Sequence, residues 1–344
     1  MRPLFLIIAT VLVLLIGVAT YGAIYLNDYL SASVQVAESG VIFEIEAGTS
    51  FSRVSNNLAD RGIITRPRLF RAYARWTGRA SAVQAGDYRI KQGTTLRELL
   101  DQFTSGDVHL YSFTIIEGWN RWDLLEALKE HPQIDSVMTD EDWPALLEQL
   151  GADTDHPEGL FLPETYRFPR GTSDRELLKQ AYELMQAALT EEWTNRAQDL
   201  PVRSPYEALV LASIVEKETA RADERARIAG VFARRLEKRM RLQTDPTVIY
   251  GIGPGFNGNL TRRDLRSDTP YNTYMRYGLP PTPIALPGRA AINAALHPAD
   301  GEELYFVATG LGDGSHAFST TKEEHDAAVA RYLARLRSQR NKGL

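Results

Sequence analysis

Two glutamates, Glu216 and Glu218, close a run of apolar residues in the stretch LASIVEKET (residues 211–219). A carboxyl at the end of a buried helix is a group that chemistry can use. Kept from water it holds its proton more tightly, and an acid protonated near neutrality can donate to a leaving group. The run opens with Ser204-Pro205-Tyr206-Glu207, which reads as a capping box with proline at the first helical position, so a helix is predicted over 204–221. From Ala208 to Val215 every residue but Ser213 is apolar, so this helix is expected to be buried on most sides. At roughly 100° per residue, Leu209, Ala212, Ser213, Thr219 and Ala220 share the face of Glu216, whereas Glu218 points almost oppositely. Glu216 is therefore the candidate acid. Glu218 is expected on a solvated face beside Arg221 and Ala222. The residues alone leave a plainer reading open, in which Glu216, Lys217 and Glu218 mark where a core helix reaches water.

A second helix is predicted over 224–239, with Ile228, Phe232 and Leu236 as its stripe. The chain then turns irregular, in RLQTDPTVIYG (241–251) and TPYNTYMRYGLPPTPIALPG (269–288). These loops carry Gln243, Thr244, Asp245, Tyr250, Tyr271, Asn272, Thr273 and Tyr274. Amides, hydroxyls and aromatic faces suit sugar hydroxyls and the C–H faces of sugar rings. Two other patterns are decoys. Ser319-Thr320-Thr321-Lys322 spells S-x-x-K, but no K-T-G accompanies it, and Ser267-Asp268-Thr269 lacks the asparagine of an S-x-N element. The six histidines (109, 131, 156, 297, 316, 325) show no H-E-x-x-H or H-x-x-E-H grouping. His316, near a glycine-rich turn, is expected either to line a groove or to satisfy a loop carbonyl. No metal and no cofactor is expected.

The elements that must position these groups begin at an apolar N-terminus. Residues 3–26 carry no charge, and a helix of that length spans roughly 36 Å, enough to cross a bilayer. The run is longer than the apolar part of a cleaved signal peptide, and Tyr21 and Tyr25 sit where interfacial aromatics belong. Arg2 precedes the span and the next basic residue is Arg53, so the positive-inside rule predicts a short cytoplasmic tip and an extracytoplasmic remainder. The chain has 344 residues, more than one domain usually needs. With 39 basic and 44 acidic residues it lacks a broad nucleic-acid footprint, and without cysteine it has no disulfide or thiolate chemistry.

After a small, polar segment read as a linker (29–40), one pattern recurs. Ile45-x-x-Gly48-Thr49-Ser50-Phe51, then Val54 and Leu58, is followed 45 residues later by Ile90-x-x-Gly93-Thr94-Thr95-Leu96, then Leu99 and Phe103. A looser third copy runs from Ile115-x-x-Gly118 to Leu124 and Leu128. Each copy predicts a strand, a glycine turn and a capped helix; another helix is expected from Arg66 to Trp76. The first two copies resemble LysM modules, small domains that bind amino-sugar glycans. A spacer of the same build that binds nothing fits them equally. The expected organisation is a cytoplasmic tip and transmembrane anchor (1–28), a linker (29–40), a LysM-like α/β module (41–110) and a larger α+β catalytic domain (111–340). Further helices in that domain are expected at 173–195 and 321–338, with strands at 114–116 and 304–308.

The stretches LASIVEKET, RLQTDPTVIYG, TPYNTY and GLPP closely resemble the endolytic murein transglycosylases of the MltG (YceG-like) family. EGLFLPETY (158–166), HPA (297–299), LYFVA (304–308) and the region of His316 extend the resemblance over nearly the whole chain. Two positions depart from the family pattern: Thr282 replaces a glycine, and Leu286 stands where a small polar residue is usual. The resemblance implies a single-pass enzyme outside the plasma membrane that cuts nascent peptidoglycan strands beside the penicillin-binding glycan synthases, with its catalytic glutamate mapped onto Glu216. In such an enzyme one carboxyl protonates the glycosidic oxygen and then takes the proton of the muramyl C6 hydroxyl, leaving a 1,6-anhydro end. Gln243, Asp245 and Glu164 are expected to bind substrate or support the site. Tyr166, Tyr250 and Asn272 are expected at sugar subsites, with Thr244, Tyr271 and Tyr274 among the binding residues. A hydrolase of the muramidase type would need a second carboxylate, for which Asp245 and Glu164 are the candidates. A tethered glycan-binding scaffold without catalysis is the other alternative.

Overall fold

The computed structural model describes residues 2–341. They form a mixed α+β chain that divides into two compact units, one running up to Tyr111 with Arg167–Arg170 added, the other comprising Ser112–Tyr166 and the chain from Gly171 onward.

The first unit starts with helix α1 (Arg2–Ser31), followed by β1 (Val41–Ile45), α2 (Phe51–Asp60), α3 (Pro67–Trp76), β2 (Gly86–Ile90) and α4 (Leu96–Ser105). Strands β1 and β2 pair antiparallel, with Phe43 opposite Tyr88. Both predicted repeats fold as expected locally. Gly48 and Gly93 turn the chain at φ 76° and 86°, a region closed to most side chains. Ser50 then caps α2, and Thr95 with Glu98 forms a full capping box on α4. Their apolar faces meet in one core of Phe43, Leu58, Phe70, Tyr88, Leu99 and Phe103. The segment expected as a linker belongs to this core: α1 continues to Ser31, and Tyr29, Leu30 and Val34 are buried. Apolar positions spaced through an otherwise polar stretch are enough to dock it. Within α1, Phe5–Ser31 is apolar and long enough to cross a membrane, with a mean hydropathy of 2.5.

The remaining elements are β3 (Tyr111–Thr114), α5 (Arg121–Glu130), β4 (Ile134–Asp135), α6 (Trp143–Leu150), β5 (Thr165–Phe168), β6 (Thr172–Ser173) and α7 (Asp174–Thr194). Then follow α8 (Pro205–Glu218), α9 (Arg225–Glu237), α10 (Asp245–Ile252), α11 (Arg289–Leu296), β7 (Tyr305–Ala308), β8 (His316–Ser319) and α12 (Lys322–Asn341). Helix α8 is the centre of the second unit. Its residues Ala208–Val215 are all buried, because α11, α9, α7 and α10 cover it on every side. Strands β7 and β8 form an antiparallel hairpin with Ala308 opposite His316, and α12 packs on it. Short pairs join β3 to β5 and, in parallel, β4 to β6.

Candidate active site

Helix α8 starts as expected, with the Ser204 hydroxyl accepting the Glu207 N–H at 3.1 Å. The box is only half closed, since the Glu207 carboxylate accepts the N–H of Arg203. Its end differs from the sequence expectation. The helix stops at Glu218, and Thr219 is extended (φ −149°, ψ 134°) and buried. Residues beyond Glu218 therefore do not continue its faces. Arg221 pairs with Asp223 at 2.7 Å and Glu224 at 3.8 Å, and its N–H is received by the Thr219 hydroxyl. The solvated Glu218–Arg221 pair does not form.

Glu218 is instead largely enclosed, accepting a hydrogen bond from the Thr244 hydroxyl. A lattice of threonines holds Thr244. Its N–H donates to the Thr273 hydroxyl at 3.1 Å, and Thr247 donates to its carbonyl at 2.8 Å. Gln243, at the positive φ of 51°, donates its N–H to the Thr273 carbonyl. Asp245 opens α10 and accepts the Tyr274 hydroxyl at 2.6 Å. Buried Arg235 donates to the carbonyls of Leu242 and Leu304, both at 2.6 Å, and so ties this loop to β7. On the other side, Glu224 receives the His316 N–H at 3.1 Å and meets its Nδ1 at 2.7 Å. A carboxylate at Nδ1 holds a hydrogen there and fixes the orientation of the ring.

Glu218, Gln243, Thr244, Asp245, Tyr274 and His316 line one cavity of about 540 Å³. A second cavity, of about 620 Å³, shares Glu218 and His316 and is bordered by the loop of Gly310, Gly312 and Gly314. Glu218 thus stands on a wall common to two cavities. Burial raises the pKa of its carboxyl, the Asp245 charge pushes the same way, and the Thr244 hydrogen bond opposes both. Such a group can carry a proton to an atom lying between two bound rings.

Glu216 sits elsewhere. Its side chain is 6% exposed, with one oxygen accepting the Gly288 N–H at 3.0 Å and the other 3.7 Å from Arg225, which lies equally far from Glu117. Burial raises its pKa too, opposed by the Gly288 N–H and reinforced by Glu117. It lines neither cavity. Nor do five of the expected binding residues. Glu164 is exposed and accepts the N–H of its neighbour Thr165. Tyr166 is buried, its hydroxyl spent on the Leu162 carbonyl at 2.6 Å. Asn272 is fully buried and staples its own loop, donating to the carbonyls of Asp264, Leu265 and Ser267 while accepting the Tyr274 N–H. Tyr271 bonds Thr282 at 2.9 Å. Tyr250 packs 5.0 Å from Tyr271 and 5.5 Å from Trp122, ring centre to ring centre, and turns its hydroxyl towards buried Glu158. The expected residues gathered around one cavity are Gln243, Thr244, Asp245 and Tyr274. Glu218, Arg235 and the Glu224–His316 pair were not assigned from sequence. Helix phase alone disfavours Glu218, and only the tertiary approach of Thr244 encloses it.

Residues 43–331 match the YceG-like family. An endolytic murein transglycosylase of Bacillus subtilis is 31% identical over 90% of this chain and 90% of its own length. An enzyme of the same name from Streptococcus pneumoniae is 27% identical over 91% of this chain, which spans 62% of that longer relative. The crystal structure of a yceG-like protein from Listeria monocytogenes superposes with a TM-score of 0.50 at 28% identity, covering 85% of this chain and 99% of that one. With its family match running through both units and the cavity-lining loops, this chain belongs to the YceG-like family.

Proposed function

We propose that this protein is an endolytic peptidoglycan lytic transglycosylase and that Glu218, rather than Glu216, is its acid. The observation that carries this reading is the enclosed Glu218 carboxyl on the shared wall of two cavities, beside Gln243, Thr244, Asp245 and Tyr274. The relatives' activity supports the substrate class.

In this reading a glycan strand threads both cavities with a MurNAc–GlcNAc bond at Glu218. The protonated carboxyl gives its hydrogen to the glycosidic oxygen while the bond to the muramyl anomeric carbon breaks and that sugar becomes oxocarbenium-like. The Glu218 carboxylate next takes the proton of the same sugar's C6 hydroxyl, whose oxygen closes on the anomeric carbon. The products are a 1,6-anhydro-muramyl end and a free GlcNAc hydroxyl, and Glu218 is protonated again without water being consumed. The nucleophile is tethered, so one carboxyl suffices. Asp245, held by Tyr274, serves to keep the Glu218 proton in place. His316, its ring oriented by Glu224, faces both cavities and meets sugar hydroxyls there.

The apolar α1 is read as a single-pass plasma-membrane anchor with the N-terminus cytoplasmic, and both units as extracytoplasmic. Nascent strands, and the penicillin-binding synthases that make them, then lie within reach. The order β1-α2-α3-β2 with antiparallel strands supports a LysM-like role for the first unit.

The test is mass spectrometry of uncrosslinked glycan strands incubated with the solubilised full chain. Transglycosylation yields internally cut strands with anhydro ends. A muramidase, the reading in which Asp245 acts as a second carboxylate, yields reducing ends one water heavier. Strands of unchanged length indicate a scaffold.

A further inference from the structure

Within the first unit, α1 passes from a lipid-type surface to a protein core inside a single helical turn. Tyr25 is exposed, Leu26 packs against the core, and Tyr29 and Leu30 are buried at 8% and 2% exposure. Two arginines distant in sequence close on that turn. The Arg66 guanidinium lies 5.2 Å from the centre of the Tyr25 ring, and the Arg66 carbonyl accepts the Tyr29 hydroxyl at 2.9 Å. Arg97 donates to the Asn27 side chain at 3.3 Å. With the bilayer boundary at Tyr25–Asp28, where the uncharged run ends, both cations sit at headgroup depth for any modest tilt of α1. The surrounding chain is one-sided in charge: from Arg61 to Gly86 it carries six arginines and no acid. Arg79 pairs with Asp101, and Arg71 and Arg75 bond Asn56 and Ser52. Among the described residues no carboxylate pairs with Arg66, Arg68 or Arg97, although Asp28 is exposed on the same turn of α1.

We infer that Arg66 and Arg97 form a cationic collar around the emerging helix that binds the phosphate groups of anionic phospholipids. A guanidinium presents paired donors that match phosphate oxygens, and its attraction to a charged leaflet fades within a Debye length of about 8 Å. Only residues held at the boundary profit from it. The collar does not conflict with the positive-inside rule, which concerns charges near the span in sequence during insertion. Arg66 and Arg97 follow the span by 40 and 71 positions, counted from Leu26, and reach the surface only after folding. The module would then be pinned to the bilayer, its height set by α1.

The inference rests on the reading of α1 as an anchor, and the experiment separates the two. The full chain is first tested for flotation with phosphatidylcholine vesicles. Failure to float overturns the anchor, and the collar with it. The floating protein is then examined in mild detergent by native mass spectrometry for retention of dioleoylphosphatidylglycerol over dioleoylphosphatidylcholine. The wild type should prefer the anionic lipid. R66Q/R97Q should lose that preference about 25-fold, at about fivefold per arginine, while R66K/R97K, which keeps the charge and guards against misfolding, should retain most of it. R262Q/R263Q, which removes the same charge from exposed positions of the second unit, should behave as wild type. Flotation without an anionic preference, a preference undiminished in R66Q/R97Q, or an equal loss in R262Q/R263Q overturns the collar and leaves the anchor standing.

Discussion

Replacing Glu218 by Gln tests the proposed acid with little change of shape. The amide oxygen can still accept the Thr244 hydroxyl, and the amide is the same size as the carboxyl it replaces. Thermal stability should therefore hold while turnover collapses. General acid–base catalysis contributes about 10²–10⁴-fold, or about 2.7–5.4 kcal/mol of barrier. Because the same carboxyl is asked to give and then take a proton, the loss should approach the upper end of that range in kcat, with KM little altered. Glu216→Gln is the matched control. It preserves the Gly288 N–H bond and gives up only a 3.7 Å ion pair with Arg225, which keeps Glu117 at the same distance. Its activity should stay within about fivefold of wild type, because Glu216 lines neither cavity, whatever the lost buried pair costs in stability. The assay is release of anhydro-muramyl fragments from defined strands across a pH series. The protonated carboxyl is the active form, so kcat/KM should fall as pH rises through its raised pKa. Asp245→Asn removes a neighbouring like charge and should move that alkaline limb to lower pH. An E218Q protein within tenfold of wild type, together with an inactive E216Q protein, would refute the reasoning and return the acid to Glu216.

Two further predictions concern the frame. Glu158 is fully buried, and burial pushes its carboxyl up from 4.5 to about 7, so the folded protein binds a proton that the unfolded chain releases. Stability should thus decline as pH rises from about 4.5 to about 7, by about 3 kcal/mol from this group; urea unfolding should show the decline reduced by that amount in E158Q, and an equal slope in both proteins would count against it. A Cβ at Gly288 would meet the carboxylate of Glu117, the far end of a half-exposed side chain that can swing aside. G288A should therefore cost under about 1 kcal/mol, and a larger cost that persists in G288A/E117A would place strain elsewhere.

Local order was legible in the sequence wherever a short-range rule governs it. Ser204-Pro205 starts α8, Gly48 and Gly93 end their strands, Thr95 with Glu98 caps α4, and the uncharged N-terminal run makes a long apolar helix. The polar loops stood out as a group in the sequence, and the structure brings Gln243, Thr244, Asp245 and Tyr274 from them to one cavity. Which of them share a cavity was not legible. Asn272 and Tyr166 look like sugar ligands by type, yet the fold spends them on its own carbonyls, since a buried polar group must be paired wherever packing leaves it.

The choice between Glu216 and Glu218 shows the division most sharply. Periodicity ranks the two acids by the residues on their own helix, and by that measure Glu216 has the drier face. Solvation, however, is set by every element that closes around a group. The helix end at Glu218 and the arrival of Thr244 are tertiary events, 26 positions apart in the chain, and they enclose the acid whose sequence neighbours promised it water. Sequence alone determined that a buried helix would end in two carboxyls; tertiary packing alone decided which of the two would be dried against a cavity, because burial is a property of the assembled surroundings and not of the helix that carries the residue.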